Sequence, residues 1–232
     1  MKFEAEVIET VKRTHDVKSV QFLRPSSFEY KAGQFMFIII QNEDGELRKP
    51  LTISSSPTEK HFIELTKKLT GHPFSNVIDS LQIGDKVTID APYGSFILNE
   101  EVKKIGMLSG GIGITPLRSI CRYATDLQLE TSIILLYGNK SREDIAYKRE
   151  FDEMQEENSN FKVVHTLIDP PSDWNGYTGF IDAEMVRKEV PDYASRVFYT
   201  CGPPAMVGAM EKLLKEFNLS QKQIRSENFS AY

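Results

Sequence analysis

Residues 104–117 read KIGMLSGGIGITPL and constrain the fold more than any other stretch of the chain. A short apolar run ends at Ser109, glycines follow at 110, 111 and 113, and Thr115-Pro116 opens the next segment. An apolar run of this length, stopped by glycine, reads as a buried strand. Gly110, Gly111 and Gly113 let the backbone turn tightly and approach a ligand closely. Thr115 is a good N-cap and Pro116 suits the first helical position. The stretch is therefore a strand, a tight turn and a helix start, and free N–H groups at a helix start suit a pyrophosphate. The glycines also fit a tight turn without a ligand, because the spacing is not that of the GxGxxG fingerprint.

The same alternation continues to the C-terminus. Strands are expected at 104–109, 131–137, 161–167, 196–201 and 223–227, and helices at 116–126, 147–157, 182–188 and 205–217. Strands that alternate with helices form βαβ units around a doubly wound parallel sheet. The first hundred residues behave differently. Strands are expected at 3–11, 17–23, 34–41, 51–54, 61–67 and 86–90, with turn signals at 42–45, 56–57 and 83–85 and one helix at 74–81. Short strands at this spacing describe an antiparallel β-barrel of Greek-key type. The change of pattern places a boundary near Val102, giving a barrel over 1–101 and an α/β domain over 102–232.

Composition excludes several classes. The chain has 232 residues, a formal net charge of -5 and 26% charged residues, which argues against a nucleic-acid binder. It holds two cysteines, Cys121 and Cys201, whereas an iron–sulfur centre takes about four. No Cys/His cluster of metal-ligand spacing occurs, so no metal is expected. The longest apolar run, at 35–40, is far short of the roughly 20 residues a spanning helix needs. The first ten residues lack the apolar region of a signal peptide, and a cytoplasmic location is the default expectation.

Three further motifs carry chemistry. Residues 201–206, CGPPAM, again join a strand end to a helix start, and ligands of open parallel sheets gather at such ends. Taken alone, Cys201 reads as an inert buried thiol. In the barrel, Arg48 and Lys49 precede a hydroxyl-rich strand, and Lys67 leads through Gly71 to Ser75 at a helix start. Cations, a hydroxyl and a helix N-terminus together suit a diphosphate, although an isolated Lys/Arg pair is more often a solvated surface. The chain ends ENFSAY, and two aromatics this near a terminus fit either a tail packed on the core or one that covers something flat.

Taken in order, these motifs resemble the ferredoxin–NADP reductase superfamily over essentially the whole chain. Ala32-Gly33-Gln34 matches the family's "pGQ" strand, and Lys49-Pro50-Leu51-Thr52 occupies the register of its Arg-x-Tyr-Ser/Thr flavin motif. Gly71 and Ser75 match its phosphate loop, residues 91–96 match its "GPyGxF" turn, and GGIGITP and CGPPAM match its two nicotinamide-nucleotide loops. The resemblance implies FAD on the barrel, held by Arg48, Lys49, Pro50, Leu51, Thr52, Lys67, Gly71, Ser75 and Tyr232. It implies NADH or NADPH on Gly110, Gly111, Gly113, Thr115, Pro116, Cys201, Gly202, Pro203 and Met206. Thr52, Cys201, Glu227 and Phe229 would then surround hydride transfer, with Phe229 against the flavin. Two departures stand out: Lys49 replaces an Arg that would give phosphate a bidentate fork, unless Arg48 reaches the same place, and Leu51 replaces a stacking Tyr.

The loop holding Lys140, Ser141 and Arg142 suits a 2′-phosphate and tilts the expectation to NADPH, while Glu143 and Asp144 blunt that field. The implied activity is an FAD-dependent NAD(P)H oxidoreductase that passes electrons singly to a separate acceptor, such as ferredoxin, flavodoxin or an oxygenase component. The alternatives are the electron-transfer subunit of a larger complex and a non-catalytic nucleotide-binding module.

Overall fold

The computed structural model describes residues 1–42 and 45–229. The first lobe contains β1 (Lys2–Lys12), β2 (Val17–Leu23), β3 (Phe35–Asn42), β4 (Gly45–Thr52), β5 (Phe62–Lys68) and β6 (Lys86–Tyr93), with α1 (Pro73–Ser80) between the last two. Every pairing is antiparallel, in the order β4-β3-β6-β1-β2-β5. The two end strands, β4 and β5, also approach each other, so the sheet curls into a barrel. The interior follows the two-residue period of strands: Met36 and Ile38 of β3, Ile63 and Leu65 of β5, and Val87 and Ile89 of β6 meet there, and Phe74 and Ile78 of α1 close one end. The strand expected at 51–54 instead begins at Gly45 and ends at Thr52. Edge position explains the difference, since its ELRK segment is largely exposed and Pro50 is tolerated where no further strand needs its N–H.

A linker over 94–103 leads into the second lobe. It contains β7 (Lys104–Gly110), α2 (Thr115–Asp126), β8 (Ser132–Asn139), α3 (Lys148–Glu157), β9 (Phe161–Leu167) and the two-residue β10 (Tyr177–Thr178). It continues with α4 (Ala183–Glu189), β11 (Val197–Gly202), α5 (Pro204–Glu216) and β12 (Ile224–Asn228). The sheet is parallel throughout, in the order β10-β9-β8-β7-β11-β12. Residues of α2 and α3 cover one face, and residues of α4 and α5 cover the other. Strand order reverses between β7 and β11, so both glycine loops leave the carboxyl edge at the switch point, where such sheets bind ligands. Thr115 departs from expectation. A 3-10 turn over Gly111–Ile114 precedes α2, Ile114 takes the N-cap position, and the Thr115 hydroxyl donates back to the Ile112 carbonyl. A helical turn already in place leaves no extended residue to act as a cap.

The lobes share one apolar core, in which Val17, Ala32 and Phe96 join Leu117 and Ile120 of α2. Beside it lies a buried set of charges. Arg13 donates to Glu64 (2.8 Å) in its own lobe and to Glu150 (2.5 Å) of α3, while Arg118 of α2 donates to Glu59 of the barrel and to Glu150. The Tyr147 hydroxyl reaches Glu64 (3.0 Å) and Thr66, and the backbone of Tyr147 is left-handed, at φ 61°. That conformation costs a side-chain-bearing residue about 1–2 kcal/mol, offset here by a ring wedged below Arg13 and Arg118. Burial alone would raise the Glu64 carboxyl, which is 0% exposed. Arg13 and Arg118, with hydrogen bonds from Gln21 and Ser54, hold it below the usual carboxylate range.

Removing one partner of a buried pair strands the other charge. Glu64→Ala is therefore expected to destabilise the protein by about 3–5 kcal/mol in urea unfolding. Glu4→Ala, which breaks the exposed pair with Lys86, should leave the unfolding midpoint unchanged.

Candidate functional site

A cleft of about 1200 Å³ opens at the carboxyl edge of the parallel sheet and extends to the barrel. Its floor is made by the loops after β7, β8 and β11, and its far wall by Ile168, Phe180 and Ile181. Gly111 has φ +52°, and nothing lies within 4 Å of the place its side chain would take, so the backbone there faces open space. Gly113 is needed for another reason: a Cβ would sit 2.3 Å from the Cys201 carbonyl, where the two loops press together. Pro203 stands at the N-cap of α5, and Met206 packs its sulfur on Gly110. Neither α2 nor α5 has a side-chain cap; the Met206 and Val207 N–H groups turn back to the Pro203 carbonyl (3.0 Å each), and the Thr115 N–H turns back to the Ile112 carbonyl.

Asn139, at the end of β8, supports this reading. It lines the cleft and is 5% exposed; its amide lies by the Tyr137 hydroxyl, which donates to the Gly111 carbonyl (2.9 Å), and neither Nδ2 nor Oδ1 has a well-formed hydrogen bond among the described residues. A buried amide left unsatisfied costs about 1–3 kcal/mol, so this group fits a ligand that supplies both a donor and an acceptor, as a ribose diol does. Nothing in the local sequence marks Asn139. Its position as the last residue of a strand before a cleft is the only signal that could have found it.

At the junction of the lobes, Cys201 and Glu227 are side by side in register on β11 and β12. Burial, and then the neighbouring carboxylate, push the Cys201 thiol well above its ordinary pKa; it stays protonated and donates to the Gly113 carbonyl (2.9 Å). Burial pushes Glu227 up to about 7. Its Oε1 lies 3.9 Å from the Cβ position of Gly94, in the barrel's last turn, so Glu227 faces the other lobe. Thr52 ends β4 opposite Phe35, whose ring packs against Gly94. The Phe229 N–H donates to the Gly202 carbonyl (2.9 Å), and its ring packs on the shared core. Glu227, paired with Cys201 in the sheet, thus faces Gly94 of the barrel, where Phe35 packs, and Thr52 lies beside Phe35 in the ladder.

The expected phosphate residues divide. Lys49 and Leu51 lie opposite Ile38 and Met36 in the β3–β4 ladder, and so share the face that lines the barrel. Lys67 follows the interior positions Ile63 and Leu65 on β5 and is only 5% exposed. Burial, and then the charge of Lys49, pull its ammonium below the usual lysine pKa. Two cations placed this close favour an anion between or beside them. α1 begins nearby in sequence, with Pro73 in its first turn and no side-chain cap, while the Ser75 hydroxyl accepts from the Thr70 N–H (2.9 Å). Gly71 turns the loop at φ +77°.

Arg48 must be corrected. It and Pro50 point to the opposite face, where the Arg48 guanidinium covers the Phe37 ring at 3.7 Å and pairs with Asp90 (3.1 Å), because neighbouring residues of a strand face opposite ways. Arg48 does not reach the place of Lys49. Tyr232 lies outside the described residues. Around the loop after β8, Lys140 is exposed, Ser141 donates to Asp144 (2.8 Å), and Arg142 is forked onto Asp173 (2.9 and 3.0 Å). Asp144 also meets His15 of the barrel, next to Asp16 with its partner Lys68 (2.9 Å).

Sequence reasoning missed Arg13, Glu64, Arg118, Tyr147 and Glu150. Glu64 alone left a trace, as a charge between Ile63 and Leu65 on a strand that is buried on both faces.

Comparison with known proteins agrees with this anatomy. Residues 4–97 match the oxidoreductase FAD-binding domain, and residues 107–212 match the oxidoreductase NAD-binding domain. The glycine betaine monooxygenase reductase subunit of Chromohalobacter salexigens is 28% identical over 97% of this chain and 63% of its own length. This chain therefore spans just under two thirds of that relative. Among solved structures, an Amycolatopsis cytochrome P450 reductase superposes with a TM-score of 0.88 at 26% identity, over 99% of this chain and 70% of that one. A Neisseria gonorrhoeae ferredoxin NADP+ reductase with bound FAD and NADP superposes with a TM-score of 0.84 at 21% identity, over 98% of both chains. No helix among the described residues is long and apolar enough to cross a membrane. The chain belongs to the oxidoreductases that join an FAD-binding barrel to an NAD-binding α/β domain, and it shares its fold with that ferredoxin NADP+ reductase.

Proposed function

We propose that this protein oxidises a nicotinamide dinucleotide, reduces FAD held between the lobes of 1–101 and 102–232, and passes electrons singly to a separate acceptor protein. The observation that supports this reading is the pairing of Cys201 with Glu227 at the carboxyl edge of the sheet, with Glu227 facing Gly94 of the barrel beside the glycine-loop cleft. When bound, the flavin accepts a hydride from nicotinamide and releases its electrons one at a time.

Each residue has a definable task. Lys49, Lys67 and the first turn of α1 hold the FAD diphosphate. Leu51 covers a ring face without stacking, and Thr52 sets a hydroxyl at the ring edge. The loops at 110–113 and 201–203 hold the pyrophosphate and nicotinamide of the second nucleotide, and Asn139 takes its ribose hydroxyls. Phe180, 78% exposed at the rim, and Ile168 give the adenine an apolar surface. Cys201, a neutral thiol tied to Gly113, is a wall of the site and not a nucleophile. Glu227 holds a proton near neutrality and can give it to, or take it from, the reacting rings. Phe229 must swing away before nicotinamide can lie on the flavin.

The charges around the cleft support NADH over NADPH, against the tilt of the loop's sequence. Arg142 is committed to Asp173, and Lys68 to Asp16; Asp16 and Asp144 line the cleft where a 2′-phosphate would add negative charge. NADH is the better partner. With two cysteines, residues 1–232 hold too few for an iron–sulfur centre, so electrons leave the flavin for a centre outside these residues. The resemblance to a monooxygenase reductase subunit favours an oxygenase component.

Two results are expected. In anaerobic titration of the FAD-loaded protein, NADH should bleach the flavin absorbance, with kcat/KM for NADH at least about tenfold above NADPH, a difference of ~1.4 kcal/mol. Equal or reversed preference would overturn the choice of nucleotide, and a protein that binds no FAD would point to a non-catalytic module. The second concerns Glu227. Its folded pKa of about 7 lies above the ordinary value of 4.5, so the native state holds a proton that the unfolded chain gives up. That contribution is present in full below pH 4.5 and disappears as pH rises through 7. Glu227→Gln should match the wild type at pH 4 and exceed its stability at pH 8 by about 2–3 kcal/mol in urea unfolding.

A further inference from the structure

Two side chains of α2 join the part of the protein that faces the flavin to the part that faces the nucleotide. Arg118 is 4% exposed and uses all five of its N–H groups. Nε and one Nη2 hydrogen go to Glu150 (2.9 and 2.6 Å), the other Nη2 and one Nη1 hydrogen go to Glu59 (2.9 and 2.5 Å), and the last Nη1 hydrogen goes to the Ser54 carbonyl (3.2 Å). The next residue, Ser119, donates its hydroxyl to the Ser55 carbonyl (2.6 Å). Ser54 and Ser55 follow Thr52 by two and three residues, and they are pinned in turn: the Ser54 N–H donates to the Glu64 carbonyl and the Ser55 hydroxyl accepts from the Glu64 N–H. At the other end, α2 grows directly out of the 3-10 turn at Gly111–Ile114, and Gly113 is the acceptor for the Cys201 thiol. A continuous set of short bonds therefore runs from the segment after Thr52 to Cys201; Arg118 and Ser119 make its crossing to the Ser54 and Ser55 carbonyls, while Asp126, at the far end of α2, meets Thr58.

We propose that Arg118 and Ser119 are positioning residues that set the separation of the nicotinamide and flavin rings. The proposal rests on the hydride-transfer reading above. A general ion pair would hold the lobes together; this arrangement also fixes their register, because the guanidinium fork grips the Glu59 carboxylate while its last N–H and the next residue's hydroxyl grip two successive carbonyls. Lysine at 118 keeps the charge but has only three donors and no plane, so it would hold the lobes without fixing their register.

Arg118→Lys and Ser119→Ala test this in the FAD-loaded protein, the second being mild enough to fold if the first does not. FAD and NAD+ affinities by calorimetry should stay within about twofold, whereas stopped-flow flavin reduction by NADH should slow by about 10–100-fold, with a deuterium isotope effect that depends more steeply on temperature. Residual dipolar couplings should fit one alignment tensor for both lobes in the wild type and need two in the variants. Variants that keep the wild-type rate and a single tensor would overturn the proposal, as would a rate loss explained entirely by lost nucleotide or flavin binding. If NADH fails to reduce even the wild type, the redox reading falls, while the tensor comparison still decides whether these residues fix the register.

Discussion

The contact on which the structure depends is the buried charge cluster between the lobes. Each lobe is a complete architecture with its own interior, so nothing in either one dictates how they face each other. The shared apolar core supplies attraction but little direction, because hydrophobic burial is roughly proportional to area and indifferent to orientation. Arg13, Glu64, Arg118 and Glu150 supply the direction. Buried charges cost several kcal/mol each unless paired with good geometry, so slipping one lobe past the other would strand them. The left-handed backbone at Tyr147 is a local cost accepted for the same end, since it brings a hydroxyl onto Glu64.

That fixed relation gives the cleft its chemistry. The redox partners sit on different lobes, and a reaction that needs contact between two flat rings tolerates little error in their placement. The remaining polar groups follow from what each end must hold. The cations Lys49 and Lys67 that we assign to the diphosphate are point charges; phosphate binding there would gain attraction without the directional fork an arginine gives. The sheet edge presents the open backbone at Gly111 and one buried amide, Asn139, and the carboxylates of Asp16 and Asp144 disfavour additional phosphate. On the same assignment Leu51 would give the flavin an aliphatic face, where contact comes from shape more than stacking.

Much of this was legible in the sequence, because the signals were local. The change from a two-residue to a helical period located both lobes, and the loops at 110–113 and 201–203 were visible as glycine stops after apolar runs. What was not legible depended on partners distant in sequence. Arg13, Arg118 and Glu150 look like any surface charges until the lobes are assembled. The polar start of β4 hid a strand because an edge strand needs no apolar alternation, and Thr115 looked like a cap because its preceding 3-10 turn has no sequence signature of its own. Arg48 and Lys49 could not be separated by composition, but counting alternate residues back from Thr52 on a strand of known extent does separate them.

The most direct measurement is a crystal structure of the protein with FAD and NAD+ bound together. The account requires the nicotinamide C4 and flavin N5 to lie within contact, about 3–3.5 Å, with Thr52, Cys201 and Glu227 around them and Phe229 displaced. A flavin seated away from Lys49 and Lys67, or rings held apart with Phe229 already withdrawn, would contradict it.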